Sequence, residues 1–120
     1  SLMGVTYLKV KISNPQNSRK SKEARFLVDS GAVYSVAPSE VLKSLGIKPI
    51  DKQRFILANG EEIEKEIGEA KFLFQGKTRT APVIFGDPDV YLLGATTLEN
   101  LGLILDPISR QLKQLPMLLM

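Results

Sequence analysis

Leu8, Val10 and Ile12 alternate with Lys9 and Lys11, the two-residue period of a strand with one face in a core and the other in water. The polar stretch from Asn14 to Lys22, with Pro15 near its start, reads as a loop that ends this strand. Arg25 leads into a second strand. Its Phe26-Leu27-Val28 run is continuously apolar, as in a strand covered on both faces, and passes directly into Asp29-Ser30-Gly31-Ala32. An acid and a flexible turn are thereby expected at the buried end of a strand. Pro38 or Ser39 can open a short helix carrying Val41, Leu42 and Leu45, with Gly46 as its stop and Pro49 beyond.

Phe55-Ile56-Leu57, Ala58-Asn59-Gly60 and a return through Ile63 to Ile67 read as a hairpin, because Asn and Gly tolerate the positive φ angles of a type I′ turn. Beyond it, Ile63, Lys65 and Ile67 share one parity and Ala70, Phe72 and Phe74 the other. Gly68 lies at the switch, which predicts a bulge or bend in a long strand. The acidic run Glu61, Glu62, Glu64, Glu66 and Glu69 then reads as a solvent face. Gln75-Gly76-Lys77 turns into a strand ending at Val83-Ile84-Phe85, followed by the loop Gly86-Asp87-Pro88-Asp89. Val90 to Leu93 forms a short strand stopped by Gly94. Thr96 with Glu99 suggests a capping box for a helix through Leu98 and Leu101, ended by Gly102. Leu103-Ile104-Leu105, a turn at Asp106-Pro107 and Gln111 to Leu115 complete a last hairpin. Together these elements predict a mainly β (all-β) domain, closed on itself, with one or two short helices.

Composition narrows the chemistry. The 120 residues are 43% hydrophobic and 24% charged, the balance of one ordinary globular domain, expected to span 1–120. Ser1 and Leu2 ahead of Met3 read as a cloning remnant. Cys, His and Trp are absent. That removes thiol nucleophiles, a Ser-His-Asp triad, a histidine base and the usual zinc ligands, so no metal or other cofactor is expected. Acid–base work near neutral pH is left to carboxylates, Lys or Tyr. The net charge of +3 is mild, and the densest basic cluster, Arg19, Lys20, Lys22 and Arg25, has no aromatic within it, so no nucleic-acid partner is expected. No apolar run approaches the length of a bilayer span and no signal sequence is evident; with no cysteine, this gives an expectation of a cytoplasmic protein without a membrane partner. The Glu run lies along an exposed arm, which disfavours a two-Glu glycosidase, and no Ser is followed by Lys at the third position, which excludes a Ser-x-x-Lys nucleophile.

Asp29 is the remaining candidate for catalysis. Ser30 adds a hydroxyl, and Gly31 allows backbone amides to approach the carboxylate. The same triplet also serves as an ordinary turn or cap. In context, Phe26-Leu27-Val28-Asp29-Ser30-Gly31-Ala32 resembles the hydrophobic-Asp-Thr/Ser-Gly-Ala signature of retropepsin-like aspartic proteases, and Leu92-Leu93-Gly94 resembles that family's second signature before the C-terminal helix. The hairpin with Leu57, Ala58, Asn59 and Gly60 falls where the family carries its flap. Ala95 follows Gly94 where retroviral members typically carry Arg, which places the chain nearer the cellular or prokaryotic branch.

The resemblance implies a closed acid-protease barrel and an aspartic endopeptidase acting on extended peptide or protein substrates. This chemistry needs two carboxylates, one ionised and one protonated, and like charges about 3 Å apart share one proton. The chain has one Asp-Ser-Gly, so the resemblance implies a homodimer in which each subunit supplies Asp29. Ser30 would then hydrogen-bond across the axis, and Gly31 would bring its amide to the carboxylates. Tyr34, Phe55, Ile56 and Leu57 are candidates for substrate pockets. The apolar C-terminal tail, including residues 116–120, is expected to pair at an interface. The alternative is a dimeric binding or scaffold domain of the same fold with little or no proteolytic activity.

Overall fold

The computed structural model describes residues 5–106 and the backbone of 112–114. The expectations for Ser1 and Leu2, for Pro107 and for the tail 116–120 lie outside the described residues. Strands β1 (Tyr7–Asn14) and β2 (Asn17–Val28) form an antiparallel hairpin in which Val10 faces Ala24 and Leu8 faces Phe26. The stretch read as a loop is therefore mostly strand. Only a tight turn separates Asn14 from Asn17, and Lys22 and Ser21 pair with Ile12 and Ser13. Both faces of this outer half of β2 are largely wet, so its side chains carry no period while its backbone is held by the ladder.

After β2 come β3 (Ser35–Pro38), helix α1 (Ser39–Ser44), β4 (Asp51–Ile56), β5 (Glu62–Phe74) and β6 (Lys77–Gly86). Then follow β7 (Leu92–Leu93), helix α2 (Ala95–Asn100), β8 (Leu103–Leu105) and β9 (Leu112–Gln114). The main sheet runs β1-β2-β7-β3-β6-β5-β4, and a further pairing of β1 with β5 joins it back on itself, leaving β4 as an outlying arm. β8 and β9 form a separate antiparallel pair, as the last hairpin predicts. Inside the ring lie Val10, Ile12, Phe26, Phe72, Val83 and Leu93, all fully buried, with Phe26 set edge-on to Phe72 at 6.1 Å between ring centres.

Several local expectations are met and three are corrected. Gly46 ends α1 in a left-handed conformation (φ 75°). Its N–H donates to Lys43 O and that of Ile47 donates to Leu42 O, a Schellman closure sealed by two buried apolar residues. The Glu-rich face is largely in water, where Glu64 and Glu62 sit 3.8 and 3.7 Å from Lys52 and Arg54. Gly68, however, makes no bulge. The pairing of β5 with β6 keeps one register from Ile67 to Phe74, and the change of parity marks the point where β5 leaves β4 and enters the ring beside β1. Gly68 serves close approach instead, since a Cβ there would lie 2.9 Å from Lys48 O. The type I′ geometry sits at Gln75-Gly76 (φ 48° and 78°), not at Asn59-Gly60. The capping box on Thr96 is also absent. Helix α2 starts two residues earlier with Gly94 as its N-cap and no side-chain cap, for a reason that lies in the site.

Candidate active site

The Asp29 turn is bound to α2 through backbone groups. Asp29 N–H donates to Leu93 O (2.9 Å), Ala95 N–H to Ala32 O (2.7 Å) and Thr96 N–H to Val33 O (3.0 Å). The first free N–H groups of α2 are thus satisfied by carbonyls of the segment following Asp29, and a side-chain cap would be redundant. Gly94 N–H donates to Ser35 Oγ (3.0 Å), and Ser35 is hydrogen-bonded to Thr97, with both side chains wholly buried. The two signature segments are therefore one unit: β2 and β7 run parallel with Leu27 beside Leu92 and Val28 beside Leu93. A Cβ on Gly94 would fall 2.5 Å from Tyr34 O and 2.9 Å from Ala32 O.

Asp29 itself is exposed in the single chain, as are Ser30 and Gly31, which corrects the expectation of an acid at the strand's buried end. The buried end of the strand stops at Val28, and Asp29 stands just beyond it at an open edge. Gly31 N–H donates to Asp29 Oδ1 at 3.0 Å, and a Cβ on Gly31 would press on that same oxygen at 3.2 Å. Glycine at this position therefore lets its own amide meet the carboxylate. Tyr91 packs edge-on against Phe26, with 5.3 Å between ring centres. Burial first, and the Asp89 carboxylate second, push its phenol up, so it stays protonated near neutral pH and offers no base.

The β4–β5 hairpin arches over a groove of about 730 Å³. Phe55, Ile56, Leu57 and Ile63 line its upper side, Gly31 to Tyr34 its floor, and Val36, Ile84, Val90 and Leu92 its wall. All four side chains proposed from sequence as pocket candidates, Tyr34, Phe55, Ile56 and Leu57, face it. Ala58, Asn59 and Gly60 do not; they form the exposed tip beyond it. Leu93 lies in the core beneath, and Ala32 and Leu92 reach the groove. At the tip, Gly60 N–H donates to Leu57 O, Leu57 N–H to Glu61 O, and the Asn59 side chain accepts from Glu61 N–H. Gly60 alone of the tip takes a positive φ (88°), giving a three-residue loop. Nothing lies within 4 Å of a Cβ added there. Gly60→Ala is thus expected to cost only the conformational strain, about 1 kcal/mol in thermal or chemical unfolding, without disturbing the groove.

Sequence reasoning missed Val33, Val36, Gln53, Ile63, Lys65, Ile84, Gly86, Asp87 and Val90. Gln53, Ile63 and Lys65 share the face of Phe55 once the hairpin register is known, with Phe55 opposite Ile63 and Gln53 opposite Lys65. Asp87 gave no such signal, since only the fold brings it to Lys65. Among the described residues no group of three or more His, Cys, Asp or Glu is placed to hold a metal ion, and no helix is long and apolar enough to cross a membrane.

A family model for aspartyl proteases matches residues 8–103. The chain belongs to the aspartyl protease family. Its fold is that of the retroviral enzymes: the solution structure of simian foamy virus (mac) protease aligns with a TM-score of 0.58 at 21% identity, covering 78% of this chain and 92% of that one. EIAV protease complexed with the inhibitor HBY-793 aligns at 0.60 and 21% identity, over 85% and 92%. The foamy viral protease-reverse transcriptase in complex with double-stranded DNA aligns at 0.55 and 17% identity, over 77% of this chain and 15% of that one. Comparison with curated proteins finds no match. The chain is thus a retropepsin-like, aspartic-type endopeptidase, mainly β as its hydrophobic pattern predicts.

Proposed function

We propose that this protease cleaves extended peptide segments as a homodimer, using Asp29 of each subunit on one water molecule. The observation that carries this reading is the lone Asp29-Ser30-Gly31 turn, whose Gly31 lines the groove and whose exposed carboxylate has one oxygen held by Gly31 N–H. One carboxylate cannot both take a proton from water and give one to the scissile carbonyl oxygen in the same step. Asp29 of the partner subunit supplies the second. The ionised member takes the proton from water as the water oxygen adds to the carbonyl carbon, while the protonated member gives its proton to the carbonyl oxygen. Collapse of the resulting gem-diol breaks the C–N bond: the amine leaves with a proton from the carboxyl that received one, and the other carboxylate takes a gem-diol hydroxyl proton as C=O re-forms, which restores one ionised and one protonated member.

Further support comes from exposed apolar side chains: Val33 (60%) and Ile56 (74%) line the same groove as Gly31, and Ile104 (48%) lines a cleft with Ser30. A second copy over the Asp29 edge would cover them and would place both carboxylates in the low-dielectric setting that the single chain lacks. The β4–β5 arm serves as the flap, with Leu57, Ala58, Asn59 and Gly60 closing on a substrate strand.

The test is cleavage of a diverse peptide library at mildly acidic and at neutral pH, alongside sedimentation equilibrium. Cleavage accompanied by dimer formation is the expected result. A stable dimer that cuts nothing would contradict the proposal and favour a scaffold role for the same fold.

A further inference from the structure

Among the described residues that line the groove, Lys65 and Asp87 alone are charged. Lys65 stands on the underside of the flap in β5, and Asp87 in the loop after β6, so their 3.3 Å contact (Lys65 Nζ to Asp87 Oδ1) spans the groove from flap to wall. The two partners are not equally placed. The Lys65 side chain keeps 34% of its exposure, whereas that of Asp87 keeps 77% and stands mostly in water. Lys65 is thus the partner already more withdrawn from water, and a peptide filling the groove would remove what water it keeps there. An ammonium withdrawn from water with a single, long contact is poorly compensated. It carries three donors, and Asp87 occupies one.

Gln53 faces Lys65 directly across the β4–β5 ladder and lines the same groove. Cross-strand neighbours of this kind have Cβ atoms about 5 Å apart. The Gln53 amide nitrogen reaches Arg54 O at 3.5 Å, the outer limit of a hydrogen bond, and can be redirected to a better acceptor. Two donors thus stand side by side on the flap underside, flanked by Phe55 and Ile63.

We propose that Lys65 and Gln53 form a carboxylate subsite, so that this protease prefers substrates with an acidic side chain flanking an apolar cleavage centre. The inference rests on the groove being the peptide cleft of the protease. It is distinct from the catalytic assignment: Lys65 selects which peptide binds, and the bond is broken at Asp29. A basic substrate side chain is disfavoured at the same place, because it would meet Lys65, and its only gain would be a well-solvated Asp87. In the homodimer the subsite occurs twice, once on each side of the scissile bond.

Reduced-amide peptides test this without requiring turnover. A series with apolar residues at the reduced bond and Glu, Gln or Lys scanned through the flanking positions is measured for binding near neutral pH, where Glu is ionised. At one flanking position on either side, Glu is expected to bind roughly three- to tenfold tighter than Gln. Lys65→Met should bring that ratio to about one, and Lys65→Glu should invert the preference in favour of Lys. Equal binding of the Glu and Gln peptides by the wild type would overturn the subsite while leaving the protease reading intact. A Glu preference that survives Lys65→Met would overturn its assignment to Lys65. Absence of binding by every peptide in the series, together with absence of cleavage, would remove the peptide cleft itself and this inference with it.

Discussion

Asp29→Asn is expected to lower the rate of peptide cleavage by roughly 10³-fold or more, while the melting temperature stays within about 2 °C of wild type. The two halves of this prediction have different sources. Catalysis is lost because an amide can neither take a proton from water nor give one to a carbonyl oxygen. Stability is kept because the side chain is exposed and its contact with the turn, acceptance from Gly31 N–H at 3.0 Å, is one that the Asn carbonyl oxygen makes equally well. Cleavage kinetics and thermal unfolding on the same preparation check both. A variant that loses its fold would make Asp29 a structural turn residue.

Gly94→Ala is expected to be far more damaging than Gly60→Ala, destabilising the protein by about 3 kcal/mol and lowering its melting temperature by roughly 10 °C. A Cβ at this position would lie 2.5 and 2.6 Å from O and C of Tyr34 and 2.9 Å from Ala32 O. These are backbone atoms, so no side-chain rotation relieves the clash. The Ala32–Tyr34 segment must move, and with it the carbonyls that accept from Ala95 and Thr96. Activity should fall further than stability alone accounts for, because the displaced segment is the floor of the groove and continues from Asp29. Differential scanning calorimetry on both variants measures the stability part. Equal effects of the two substitutions would show that Gly94 is not needed for close packing.

The positions most legible in the sequence are those where a single backbone requirement selects a single residue type. Gly46 and Gly102 were readable as helix stops because each takes a left-handed φ, 75° and 70°, that other residues resist. The alternation of Val10 and Ile12 with lysines survived because one face of β1 is core and the other water. The pattern failed where both faces share one environment: residues 17–22 of β2 are polar on both sides, and Asn17, Ser21 and Lys22 are held there by ladder partners in β1. It failed again where tertiary structure replaces a local device, as at α2, whose N-terminus is capped by the distant carbonyls of Ala32 and Val33.

The Asp29 turn was legible as a motif, because Asp, Ser and Gly in that order after an apolar strand already imply an amide brought to a carboxylate. Its exposure was not. A strand can be buried to its last residue and still deliver the next one to an open edge, and only the three-dimensional arrangement distinguishes the two. Lys65 and Asp87 were hidden for a related reason: the hairpin register puts Lys65 beside Gln53 on the groove side of the β4–β5 hairpin, but nothing local joins residue 65 to residue 87.

The measurement that bears most directly on a shared pair of carboxylates is subunit mixing. A fixed amount of wild type is titrated with Asp29→Asn, and cleavage of a peptide substrate is followed as the variant increases, with the total concentration held where dimers form. If each active site takes one Asp29 from each of two chains, mixed dimers are inactive, and activity falls toward zero as the variant comes into excess. Activity that stays constant, in proportion to the wild type alone, would contradict the account, since each chain would then hold a complete catalytic site of its own.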